Sequence, residues 1–134
     1  MMKAQLQMYE VVHVKPLIAK FSLGDENVTL MVYLIPNVVA TDNDKVVSVV
    51  SSPLITVVSD KPKMGELCNQ RKIMTHKAVV PNHEIVSEGG TEIMVNNKKA
   101  VIKVKITNIN VYPDLRDSFG SPCVNVSWIQ LINA

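Results

Sequence analysis

In Ala100-Val-Ile-Lys-Val-Lys-Ile-Thr-Asn-Ile-Asn-Val-Tyr112, Ile102, Val104 and Ile106 alternate with Lys103, Lys105 and Thr107. Successive side chains of a strand point to opposite faces, so this reads as three apolar groups facing a core and two lysines facing water. The phase then flips. Asn108 and Asn110 fall on the parity that was apolar, and Ile109 and Val111 on the other. One extra residue near Thr107-Asn108 restores the pattern, as in a β-bulge; a strand passing from one sheet to another gives the same signature.

Upstream, Thr91 to Val95 is a second strand, with Ile93 and Val95 on one parity, and Asn96-Asn97 is a tight-turn pair because Asn tolerates positive φ. Residues 91–112 are therefore predicted to form a β-hairpin. Downstream, Pro113 to Pro122 is a turn-rich loop before a last strand in which Val124, Val126 and Trp128 alternate with Asn125 and Ser127. An apolar final strand of this kind is expected to be tied into a sheet or docked on a partner.

Toward the N-terminus, Gln5–Val14 and Leu17–Leu23 read as extended chain on either side of Pro16. Gly24-Asp25-Glu26-Asn27 is a turn cluster, predicted as a hairpin loop longer than two residues. Val28–Ile35 is apolar on both parities, which suits a strand covered on both faces or one facing a subunit partner. Asp42-Asn43-Asp44 has the oxygen-rich look of a calcium loop but lacks the other ligand positions, so a hairpin turn is the better reading. Val46–Ser52 and Leu54–Val58 flank Pro53, which cannot donate to a sheet ladder, so this region is an edge strand, a bulged strand or two strands with a corner. Ser59 to Pro81 is the least regular part, read as a solvated excursion with at most one short helix within Glu66–Met74. The expected fold is one all-β domain over residues 1–134: an antiparallel sandwich or small barrel of about eight strands.

Valine and isoleucine are abundant, and 47% of residues are hydrophobic against 19% charged, which excludes a disordered chain. The net charge of +2 is too small for a dedicated nucleic-acid binder. Only Lys3 precedes a possible export signal, and no apolar run of secretory length follows it. No run approaches a membrane span either, so the expected setting is the cytoplasm or a virion.

Catalytic signatures such as GxSxG, HExxH, the P-loop and GxGxxG are absent from the sequence. Cys68, His76, His83 and Cys123 are all zinc-capable, but they lack the short paired spacing of zinc fingers, and no metal or cofactor is expected. Two buried thiols is the simplest reading of the cysteines; a disulfide between them needs an oxidising setting or a thermophile's cytosol. Asp114, Asp117 and Ser118 share a loop without a nearby histidine, which argues against acid–base work. Lys98, Lys99, Lys103 and Lys105, with Arg71 and Lys72, are candidates for a phosphate-facing surface, though no aromatic platform alternates with them.

Two functions follow. The first is a non-enzymatic structural or interaction protein acting as a homo-oligomer, for example a viral or mobile-element subunit. Its candidate interface is Val28, Leu30, Met31, Val32, Tyr33 and Ile35, with the outward parity undetermined. The alternative is an OB-like barrel that binds nucleic acid through the lysine face.

Overall fold

The computed structural model describes residues 4–133; Lys3 lies outside them. Ten strands and one short helix run in the order β1 Gln5–Gln7, β2 Glu10–Lys15, β3 Leu17–Leu23, β4 Glu26–Asp42, β5 Lys45–Ser59, β6 Glu66–Leu67, α1 Gln70–Ile73, β7 His83–Ser87, β8 Gly89–Val95, β9 Lys98–Arg116 and β10 Pro122–Asn133. They form two sheets that pack face to face as a sandwich and do not close into a barrel. In sheet A, β4 lies between β5 on one side and, on the other, β3 along its first half and β1 along its second; β7 flanks β3. In sheet B the order is β10-β9-β8-β2, with β6 pairing in parallel with the far end of β9.

The phase flip is a bulge. Ser127 pairs with Asn108 and Trp128 with Ile106, so Thr107 is the extra residue. Before it, Ala100, Ile102 and Val104 point into the core; after it, Ile109 and Val111 do. One strand thereby keeps an apolar inner face from Ala100 to Val111. The hairpin is also as the sequence predicts: Val95 pairs with Lys98 across Asn96 and Asn97, whose φ values are 51° and 62°. Two positive φ values in a two-residue loop are the setting where Asn-Gly is favoured. Asn97→Gly is therefore expected to stabilise the fold by about 0.5–1 kcal/mol, seen as a rise of a few degrees in a thermal melt. The loop between β3 and β4 is shorter than the sequence suggested. Leu23 already pairs with Glu26, leaving only Gly24 and Asp25, and Gly24 takes the positive φ of 61°.

The core is filled from both sheets. Leu17, Ala19, Phe21, Val28, Leu30, Val32 and Leu34 of sheet A meet Ile93, Val95, Ala100, Ile102, Val104, Ile109 and Val111 of sheet B. At Gly89 the sheets come so close that a Cβ would lie 2.3 Å from the Leu17 nitrogen, so no other residue fits there. The Thr91 hydroxyl donates to the Leu34 carbonyl at 2.5 Å, a buried link between the layers.

A second link is ionic. Arg116 of β9 donates to both carboxylate oxygens of Glu26 of β4, at 2.7 and 3.0 Å, with both side chains almost wholly buried. Ser59 donates to the same carboxylate at 2.5 Å, and Arg116 also reaches the carbonyls of Pro113 and Gly120.

Residues 60–82 are held more firmly than their irregular sequence implies. Lys63 N–H donates to the Gly120 carbonyl, Cys68 N–H to that of Arg116, and Val79 bridges to Val111. Cys68 and Cys123 form a disulfide, which corrects the reading of two free thiols. Around it Tyr112, Leu115 and Ile73 make a small satellite core.

Candidate interaction face

The burial of β4 settles which of its parities faces out. Val28, Leu30, Val32 and Leu34 are at most 1% exposed and belong to the core. Val28, Leu30 and Val32 are thus corrected from interface candidates to core residues. Met31, Tyr33 and Ile35 stand half-buried on the outer surface of sheet A. Directly paired residues share a face, so the register extends this surface across neighbouring strands. Met31 lies beside Thr56 and Ile18, Tyr33 beside Leu54, and Ile35 beside Ser52. Past a bulge at Asn37 the face continues through Val38 beside Val50 and Ala40 beside Leu6 and Ser48.

Much of this apolar surface meets water: Leu54 is 58% exposed, Val50 56%, Val58 51% and Leu6 76%. Charge is confined to its two ends. One end carries the cross-strand row of Lys20 and Glu84, the other that of Asp42 and Lys45. Within β5 itself no charged residue occurs between Lys45 and Asp60. Between the end rows the face spans about 13 residues at ~3.3 Å each and three strands ~4.8 Å apart, a footprint of roughly 600 Å². That is the upper end of the largest apolar patch on a typical monomer, about 300–600 Å², and patches of that size are often functional.

The outer face of sheet B is different in kind. Lys99, Lys103 and Lys105 do stand on it, but Lys99 pairs with Glu92 at 2.5 Å and Lys105 with Glu88 at 3.3 Å. Arg71 and Lys72 sit on α1, beside the far end of β9, with Lys72 held by Glu66 at 2.9 Å. From Lys103 to Arg116 along β9 is roughly 40 Å at ~3.3 Å per residue, so the six cations do not form one basic surface. Lys98 closes the hairpin turn at the opposite end from α1.

The zinc-capable residues are not gathered either. Both cysteines are in the disulfide, the His76 ring contacts the Lys72 carbonyl at 2.7 Å, and His83 lies on β7 opposite Phe21. Among the described residues no three His, Cys, Asp or Glu side chains cluster as metal ligands. Asp117 accepts from the backbone N–H groups of Phe119 and Ser121, closing its own loop. Asp60 accepts from the backbone N–H and side-chain amide of Asn27, which hold its carboxyl below the ordinary value of 3.8. His13, Lys15, Glu88, Glu92 and Lys103 line a shallow notch above Gly90 on sheet B. Among the described residues no helix is long and apolar enough to cross a membrane.

Comparison with protein families, curated proteins and solved structures finds no match to this chain.

Proposed function

We propose that this protein is a non-enzymatic β-sandwich that works by self-association, its copies meeting through the outer face of sheet A. The supporting observation is the charge-free apolar surface running from Ile18, Met31 and Thr56 to Leu6 and Val50, with a charged row at each end. Two such faces in contact would bury about 1,200 Å², the lower bound of a specific interface. An apolar centre with a charged rim is also the usual anatomy of such a contact.

The paired substitutions Tyr33→Lys and Val32→Lys test this. Tyr33 faces out and Val32 is fully buried. Tyr33→Lys is expected to keep the fold and weaken association by about 2 kcal/mol or more, roughly 30-fold in Kd. Val32→Lys is expected to unfold the chain, because an unpaired buried ammonium costs several kcal/mol. Sedimentation velocity and circular dichroism read the two effects separately. A wild-type protein that sediments as a monomer at tens of micromolar removes the proposal.

A further inference from the structure

Among the described residues no strand pairs with the edge of β5 that faces away from β4, and the hydrogen bonds show which backbone groups point outward there. Asp60 N–H donates to the Asn27 carbonyl opposite it in the ladder. Even-numbered residues from Ser52 to Asp60 therefore turn their backbone groups toward β4, and odd-numbered ones turn theirs away. Two other bonds agree. The Gln130 side chain of β10 donates to the carbonyl of odd-numbered Val49 from the side away from β4. Pro36, opposite odd-numbered Ser51, turns its carbonyl away from β5 to the Tyr9 hydroxyl at 2.7 Å.

The edge is guarded along part of its length. Gln130 covers Val49, Ser51 donates to Gln130, and Pro53 has no outward N–H to offer. Ile55, Val57 and Ser59 remain, with their outward N–H and C=O groups in a run free of charge and bulge. Native edges are commonly blunted by lysine, proline or a bulge, and this half has none of these.

We infer that a second copy of the chain pairs here, antiparallel to the first about a two-fold axis at Val57. The inference rests on the self-association reading and adds an interface to it. In this register Ile55 opposes Ser59 of the second copy, and Val57 opposes its own counterpart. On the outer face Thr56 opposes Val58 of the second copy, a β-branched pair that suits a sheet. The first charges, Asp60 and Lys61, lie level with Leu54 and Pro53 of the second copy, so no like charges meet. Val49 stays outside the paired segment, and its bond to Gln130 survives. Leu54 and Val58 would make the apolar outer faces of the two chains continuous. Two such pairs stacked through that face use a second two-fold axis, and two perpendicular two-folds generate a tetramer.

The parity makes a sharp test. Val57→Pro removes an outward N–H and leaves the β4 ladder intact, whereas Thr56→Pro removes a ladder bond and should destabilise the fold. The wild type is expected to sediment as a tetramer, Val57→Pro and Tyr33→Lys each as a dimer, and the double variant as a monomer. Because Val57 also packs against the core, hydrogen exchange on the wild type supplies an independent reading. The amides of Ile55, Val57 and Ser59 should exchange at least about tenfold more slowly in the assembled protein than in the dissociated one. If those amides exchange as freely as exposed ones in an assembly that Tyr33→Lys alone reduces to monomer, the edge pairing is overturned and the face contact stands. A monomeric wild type overturns both.

Discussion

Arg116→Met is expected to cost about 3–5 kcal/mol, a large share of the roughly 5–15 kcal/mol that holds a domain together. The loss has two parts. Glu26 keeps its buried carboxylate without the guanidinium that compensates it, and the carbonyls of Pro113 and Gly120 lose a donor. Replacing both Glu26 and Arg116 by methionine should be milder than Arg116→Met alone, because no uncompensated charge is left behind. The pH profile distinguishes the pair from ordinary packing. Burial pushes the Glu26 carboxyl up, but the bonds from Arg116 and Ser59 outweigh it, so it titrates below its ordinary value of 4.5. The folded state then binds a proton less readily than the unfolded one. The stabilisation is complete above that ordinary value and is lost as pH falls through the lowered one. In Arg116→Met, burial, the largest influence on this carboxyl, is opposed mainly by the bond from Ser59, so the folded value is expected to rise above the ordinary one and stability at this group to increase as the solution is acidified. Urea unfolding at pH 7, 5 and 4 should show these opposite slopes. Parallel profiles would mean that the pair does not control the stability of the link between the sheets.

Reducing the disulfide, or making Cys68→Ala with Cys123→Ala, is expected to cost about 4 kcal/mol. The bond closes a loop with a sequence separation of 55 residues, and a loop that long removes about that much entropy from the unfolded chain. At an m-value of about 2 kcal/mol per M, the urea midpoint should fall by roughly 2 M. Trp128, the single tryptophan, packs against the core and reports the transition. Reduction should also loosen 60–82 first, because Cys68 anchors that segment beside Arg116. A midpoint unmoved by reductant would show that the satellite core of Tyr112, Leu115 and Ile73 holds the segment unaided.

The parts of this structure legible in the sequence are those encoded within one strand or one turn. The Thr107 bulge shows as a change of phase, and the hairpin turn shows as two asparagines. The all-β sandwich follows from such local signals. What escaped detection needs register between distant strands. Glu26 reads as a turn residue, because nothing near it announces a partner 90 positions away. Lys99 and Lys105 of β9 read as part of a basic face because their neutralising carboxylates come from the neighbouring strand, Glu92, and from the residue just before it, Glu88. Apolar side chains on both parities of β4 mark two buried faces without saying which belongs to the core. Val28, Leu30 and Val32 could be separated from Met31, Tyr33 and Ile35 only once the second sheet was in place.

The bond from Gln130 to Val49 has a consequence in time. The guard and the edge it covers lie about 80 residues apart, roughly 4–16 s of ribosomal synthesis at 5–20 residues per second. Throughout that interval the nascent chain carries β4 and β5 with the middle of the edge uncovered, and only Pro53 interrupts it. Crowded polysomes would then bring unguarded edges of neighbouring chains together before either has its glutamine. Translation speed through the codons of β8 to β10, rather than the stability of the finished sandwich, would set the yield of correctly folded protein.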